Sequence, residues 1–473
     1  MQFRVLSVAL AEVPCTTRMP FRFGAVTLRE APLLHARVEL ESVDGRTATG
    51  LASDLLVPKW FRKDPSRTVE QDQADLRHAA AEAARAVAAQ TRHAAAFALC
   101  HDAWTATAGA VDHGAPDRLV RGFGAALVER AVLDAACRIA GRNLWSALQH
   151  DLFRFEPERL HPELRGWRLP DLLPASLQCS VALRHTVGML DPLTPAEATG
   201  QAADGEPSCL LEELDQRGIR WLKVKVGAGP DADRARLLAL ASALGDRIES
   251  IRITLDGNEQ YEELAALAGM LDATASDPRG RRLVDRIAAI EQPLPRQHSF
   301  GETARRQLPL VAKHAPLLVD EADDGPEAFR NALDTGYRGI SVKNCKGFFR
   351  ALANHGLCAA RGHGAFLSAE DLTNLPVVAL QQDLMTVACL GLTHVERNGH
   401  HYFRGLDHLP EAVTRTALAA HGDLYEARAD GSARLRIGDG RLEFASLVGR
   451  GYAVDAEVAE QLVRELQWIV VET

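Results

Sequence analysis

Six residues of this chain have the types and spacing to do chemistry together: the acids Asp256, Glu291 and Asp320 and the lysines Lys223, Lys225 and Lys343. Each stands at or near the end of a short apolar run. The runs are Trp221-Leu-Lys-Val-Lys-Val226, Ile251-Arg-Ile-Thr-Leu-Asp256, Ile287-Ala-Ala-Ile-Glu291, Leu317-Leu-Val-Asp-Glu321 and Gly339-Ile-Ser-Val-Lys343. Taken singly, each acid reads equally well as the N-cap of a following helix. Brought together, three carboxylates repel one another unless a cation neutralises them. Oxygen-only ligation that leaves positions for water and substrate suits Mg²⁺ better than zinc or copper. Lys223 and Lys225, two apart in a strand, point to one face. The nearby Lys223 ammonium favours the neutral, basic form of Lys225 that a general base needs. Lys343, four strands further round, approaches from the opposite side. Such a set suits removal of a weakly acidic proton beside a carboxylate, with Mg²⁺ stabilising the enolate. A base on each face would return the proton to the other side and invert the carbon.

These residues need a scaffold that gathers strand ends. From residue 177 onward, short apolar runs alternate with helical segments, a pattern that implies a parallel sheet. Three further runs, at 178–183, 365–368 and 392–396, bring the number to eight. Eight βα units suggest a closed (β/α) barrel, whose active site lies at the C-terminal ends of the strands. Ahead of it, residues 1 to about 60 alternate as strands, turn at Asp44-Gly45 and read as an antiparallel meander. Alanine-rich segments at 69–107 and 120–140 carry apolar residues at helical spacing, the second ending at Gly141, a suitable C-cap. The segments 150–175 and 197–210, rich in Pro, Gly, Asp and Glu, and 272–284, with Asp277-Pro278 and Gly280, read as loops. The expected division is 1–125, an N-terminal α+β capping domain; 126–410, the catalytic barrel; and 411–473, a C-terminal segment packing back on the cap.

Composition narrows the class. The formal charge of -9, with basic residues scattered among acidic ones, offers no footprint for nucleic acid or anionic membrane. No stretch approaches the roughly 20 apolar residues of a membrane span, and the first fifteen residues make a poor secretory signal. Eight dispersed cysteines without a CxxC pair fit reduced thiols in a cytoplasmic protein. The expected partners are a small-molecule carboxylate and further copies of the chain in a homo-oligomer.

Taken in order, Leu222-Lys-Val-Lys-Val-Gly227, Leu255-Asp-Gly-Asn258, Ile290-Glu-Gln-Pro-Leu294, Val319-Asp-Glu321 and Val342-Lys343 resemble the strand motifs of the enolase superfamily, specifically its muconate-lactonizing and dipeptide-epimerase branch. The likeness extends to the helix at 126–141 and the closing segment at 440–451. It implies a modified TIM barrel with an α+β cap and Mg²⁺ held by Asp256, Glu291 and Asp320. It also implies a base at Lys225 assisted by Lys223, and a second base or cation at Lys343. Cap segments 20–23 and 51–60 would complete the substrate pocket. Candidate substrate contacts are Phe21, Asn258, Ser368 and Glu396, with loop-turn or strand-end roles open for Asn258 and Gln292.

The departures bear on substrate. Dipeptide epimerases end the eighth strand with a paired Asp motif that grips an ammonium, whereas this chain carries His394-Val-Glu396-Arg397-Asn-Gly-His400-His401. Glu396 could bind an amine or pair with Arg397. The usual Gly pair after the sixth-strand lysine is replaced by Cys345-Lys346-Gly347-Phe348. His363 lies near the seventh strand, where sugar-acid dehydratases of the superfamily place a catalytic histidine, but those lack the sixth-strand lysine. His400-His401 read as a solvated loop pair, not a metal pair. The expected activity is racemisation or epimerisation of a small carboxylic acid or amino-acid derivative. A cycloisomerase or dehydrating lyase is the alternative, and an inactive metal-binding barrel the reading from another class.

Overall fold

In the N-terminal region, regular alternation of apolar and polar side chains builds strands β1 (Phe3–Phe23), β2 (Val26–Ser42) and β3 (Thr47–Leu55), paired antiparallel in that order. The structure is a computed structural model that describes residues 1–23, 26–198 and 204–472. The turn falls at Asp44-Gly45, where Gly45 adopts a φ of 80°. One face of this sheet is covered by helices α1 (Val69–Ala88) and α3 (Arg118–Ala140). The single helical stretch expected over 69–107 is two helices. α2 (Ala96–Ala106) begins only after Ala94 has exchanged backbone hydrogen bonds with Phe3, at 2.7 and 2.9 Å. That bridge pulls the chain out of helical register. α3 stops at Gly141, whose φ of 65° is the left-handed C-cap conformation.

The Ala-rich composition of α3 has a steric purpose. A Cβ on Gly50 of β3 would lie 2.1 Å from the Ala131 carbonyl oxygen, and one on Gly124 would lie 2.1 Å from that of Ala79 in α1. Helix, sheet and neighbouring helix are therefore in backbone contact. Gly50→Ala is expected to lower the urea midpoint by the equivalent of about 1–3 kcal/mol or more, the usual range for overpacking. A variant as stable as the parent would show that this contact is looser than described.

All eight predicted runs form strands of one parallel barrel. They are β4 (Ser180–Val187), β5 (Trp221–Lys225), β6 (Arg252–Asp256), β7 (Ile287–Glu291), β8 (Leu317–Val319), β9 (Gly339–Val342), β10 (Phe366–Ala369) and β11 (His394–Arg397). Pairing of β11 with β4, from His394↔Ala182 to Arg397↔His185, closes the ring. The final strand, Ile469–Val470, pairs with β1 at Leu10 and Ala9, so the chain's end adds to the N-terminal sheet.

The loop expected over 272–284 is corrected to helix. Helices Leu264–Ala275 and Pro278–Val284 occupy it, because Asp277 caps the second by accepting from the amides of Arg279 and Gly280 at 2.8 and 3.3 Å, with Pro278 at the first position. Segment 150–175 consists of short turns, and residues 199–203 of the expected 197–210 loop lie outside the described residues. No described helix is long and apolar enough to cross a membrane. All eight cysteines are free.

Candidate active site

The parallel strands present alternate residues to the lumen, which is why Lys223 and Lys225 both reach it while Leu222 and Val224 pack outward. Lys223 is 1% exposed. Its Nζ donates to Glu291 at 2.8 Å, Glu370 at 2.5 Å and Glu396 at 2.8 Å, with Asp256 Oδ2 at 3.1 Å. Burial opposes its charge, but Asp256, Glu291, Glu370 and Glu396 outweigh that and raise its pKa well above the ordinary lysine value. Lys223 is therefore a fixed cation answering acids on four strands, not chiefly the tuner of Lys225 that the spacing suggested. Lys225 Nζ donates to the same Asp256 Oδ2 at 2.6 Å. On the other side, Lys343 donates to Asp320 Oδ2 at 2.6 Å and lies 3.8 Å from Glu291. The Trp60 ring of the N-terminal region stands 5.1 Å from its Nζ, within cation–π range.

The three acids thus face one another across shared ammonium groups. Asp256 and Glu291 share Lys223, and Glu291 and Asp320 share Lys343. Their environments differ. Burial, reinforced by Asp256 and Glu370, pushes the Glu291 carboxyl well above the carboxylate range. Burial acts on Asp320 too, but Lys343, Lys346 and Lys223 hold it well below. Lys346 Nζ lies 3.0 Å from Asp320 Oδ1, and Ser341 donates to the same oxygen. The Asp320 amide donates to Gln292 Oε1 at 2.8 Å, which makes Gln292 a brace for this strand end. Three buried oxygens, Glu291 Oε2, Asn258 Oδ1 and Glu321 Oε2, have no hydrogen-bond partner. Glu291 Oε2 is 2.8 Å from Lys223 Nζ, but outside hydrogen-bonding geometry. Of the three carboxylates, Glu291 thus keeps one hard, unsatisfied oxygen of the kind a divalent cation takes, while Asp256 and Asp320 are engaged by Lys225 and Lys343.

Above this floor lies a small cavity walled by Phe21, Phe23, Val57 and Trp60 of the N-terminal region. Phe21 and Asn258 both reach it, as does Glu396. Asn258 sits in a left-handed turn with φ of 42°, its amide donating to Asp256 Oδ1 at 2.8 Å. The turn role and the pocket position are therefore the same thing. Glu396 accepts from Lys223 and from Thr186 at 2.6 Å. Its pairing with Arg397 is overturned: successive strand residues point to opposite faces, and Arg397 goes to Asp371 at 3.1 Å and to Asp383. Ser368 is not brought to the cavity. Its hydroxyl donates to Glu370 at 2.6 Å below the mouth and receives Arg184 at 3.1 Å.

Glu370 and Arg184, ion-paired and fully buried, are the site residues that sequence reading missed. Glu370 follows the seventh apolar run by one residue more than the run suggested, since the strand extends to Ala369. Arg184 occupies a lumen-facing position of the first strand, a signal visible only once the register is known. His363 is exposed, in the turn that precedes β10, and so lies at the end of the barrel away from the site. The solvated-pair reading of His400-His401 is also overturned: the two fall in a one-turn helix, Gly399–Tyr402, with side chains 2% exposed.

The family model described as enolase C-terminal domain-like matches residues 209–458, more than half of the chain, and the chain belongs to that family. It is an enzyme of the mandelate racemase and muconate lactonizing type. Among solved structures, muconate lactonizing enzyme from Mucobacterium Smegmatis, complexed with muconolactone, superposes with a TM-score of 0.62 at 17% identity, covering 98% of this chain and 100% of that one. N-succinyl Arg/Lys racemase from Bacillus cereus gives 0.61 at 14% identity over 99% of this chain and 100% of that one. Dipeptide epimerase from Enterococcus faecalis V583, complexed with Mg and L-Leu-L-Tyr, gives 0.59 at 15% over 96% and 99%. At these identities the likeness is one of fold. Comparison with the curated proteins found no match.

Proposed function

We propose that this enzyme uses Mg²⁺ to abstract the proton α to the carboxylate of a small, largely apolar acid or amino-acid derivative, and returns it on the opposite face as a racemase or epimerase. The observation that carries this reading is the placing of Lys225 and Lys343, which line one cavity from strands β5 and β9, four apart in the ring. Mg²⁺, held by Asp256, Glu291 and Asp320, would supply the positive charge that stabilises an enolate. The remaining work falls to the protein. Lys223 keeps a positive charge beneath the carboxylate cluster, and the aromatic wall excludes water and selects against bulky polar substrates. Glu396, already bound to Lys223 and Thr186, offers an oxygen toward a substrate amine.

A second reading has its own support. Burial opposes the charge on Lys343, but Asp320 raises its pKa beyond the ordinary lysine range, and Trp60 covers it. A lysine so held suits a permanent cation, as a cycloisomerase or dehydrating lyase would use it.

The test is α-proton exchange in D₂O with Mg²⁺, across an acid library that includes amino-acid derivatives and sugar acids. Exchange with inversion supports the first reading, and exchange with loss or closure of a group supports the second. No exchange with any acid would favour a barrel without catalysis. Magnesium has a separate readout. Adding it to chelator-treated protein at a hundredfold excess over its Kd is expected to stabilise the fold by about 2.7 kcal/mol. Glu291→Gln should remove most of that gain, and an unshifted wild-type melting curve would count against the metal assignment.

A further inference from the structure

At the seam where β11 meets β4, behind the barrel wall, a second cluster of potential ligands is assembled. His185 lies on β4 between Arg184 and Thr186, which face the lumen, so its ring points outward. There it meets Glu213 on the helix Leu210–Arg217, which follows β4, and His400 on the one-turn helix after β11. His185 Nδ1 and His400 Nε2 are 3.2 Å apart, and His400 Nε2 is 3.8 Å from Glu213 Oε2. One ligand atom from each of the three lies within 4.8 Å of the others. Zn²⁺ binds nitrogen and oxygen at ~2.0–2.1 Å, so neighbouring ligand atoms of a tetrahedral site stand roughly 3.3 Å apart. The observed separations bracket that edge length.

Around this trio the supporting groups are those of a built site. Glu213 is fully buried. His401 Nδ1 lies 2.8 Å from its Oε1, and Arg217 donates to both of its oxygens at 2.8 Å, which fixes the carboxylate's orientation. His400 presents Nε2 to His185 and Glu213, while its other ring nitrogen, Nδ1, is buried without a partner. His400 and Arg217 also line a cavity of about 140 Å³ that offers a route from solvent.

We propose that His185, Glu213 and His400 form a second metal site, selective for a Zn²⁺-class cation over Mg²⁺, that staples the closing seam of the barrel. Two imidazoles and one carboxylate are a borderline-soft donor set, unlike the all-oxygen set in the lumen. The staple would bear on the catalytic cavity from outside. Thr186, next to His185, donates to Glu396, and Tyr402, next to His401, stacks on Phe21 at 4.1 Å between ring centroids. Arg18 of β1 reaches the His401 carbonyl at 2.6 Å. An ion here would hold both the eighth strand end and the aromatic wall.

The experiment titrates the full chain, stripped with chelator and kept in excess Mg²⁺, with Zn²⁺ by calorimetry and with Co²⁺ by visible absorption. One ion per chain and the intense Co²⁺ bands of a four-coordinate site are expected. His400→Ala and Glu213→Gln should each weaken binding by well over about tenfold, since groups that merely orient a ligand are worth about 10–100-fold. Asp256→Asn, which damages only the lumen set, should leave Zn²⁺ uptake unchanged. Absence of uptake by the wild type, uptake unaffected by His400→Ala, or uptake abolished by Asp256→Asn would each overturn the proposal. Because the wild-type titration and the Asp256→Asn control need neither cluster variant, a variant that fails to fold does not shelter the idea.

Discussion

Lys225→Ala is expected to lower the proposed racemisation by about 10²–10⁴-fold, the usual worth of a positioned general base, and Lys343→Ala to do the same. The two variants should differ in what they retain. If each lysine serves one face, Lys225→Ala will still exchange the α-proton of the enantiomer presented to Lys343, and Lys343→Ala that of its mirror image. Neither will interconvert them. The geometry behind this expectation is that the two amines contact different acids, Asp256 at 2.6 Å and Asp320 at 2.6 Å, on β6 and just beyond β8. Turnover surviving in one direction in Lys343→Ala would assign Lys343 the role of cation and favour the lyase or cycloisomerase. The same result would leave Lys225 as the sole base. Measuring exchange and inversion on the same samples separates these cases.

Lys223→Met is expected to destabilise the fold by about 3–5 kcal/mol or more, the range for breaking a buried pair by removing one partner. Four carboxylates within 3.1 Å of its Nζ would lose their shared counter-charge. The deficit has a definite pH sign. A carboxyl whose folded pKa lies above its unfolded value of about 4.3 contributes stability below that value and loses it as pH rises through the folded one. Glu291 is raised by burial, Asp256 and Glu370 even with Lys223 present, and removing the ammonium can only raise it further. Denaturant midpoints in chelator should therefore show a larger gap between variant and parent at pH 8 than at pH 5. Equal midpoints at both would mean that the cluster is relieved in some other way, and Lys223 would lose its assigned role.

Much of this was readable from the residues alone, for a reason that differs between backbone and site. Strands in a parallel barrel have apolar cores and polar ends, so Asp256, Glu291 and Lys343 announced themselves by closing apolar runs, and the period of two placed Lys223 with Lys225. Local chemistry likewise marked the Gly141 cap. It also contained the Asp277-Pro278 start of a helix within 272–284, where the close pair Pro278 and Gly280 resembled a turn although Asp277 and Pro278 together make a helix N-terminus.

What lay beyond the sequence were facts of register and of distance across the ring. Whether Glu396 turns to Lys223 or to Arg397 depends on which face of β11 meets the lumen, and β11 acquires that face only by pairing with β4 at the barrel's closure. Arg184 and Glu370 belong to strands far apart in sequence, and their ion pair exists only because the ring brings them together. The gathering of His185, Glu213 and His400 has the same origin, since three segments separated along the chain converge at one seam. A sequence specifies which side chains end strands because that is a local property of hydrophobic patterning. Only tertiary closure decides which of those ends touch, since contacts between remote segments follow from how the sheet curls and where it joins itself.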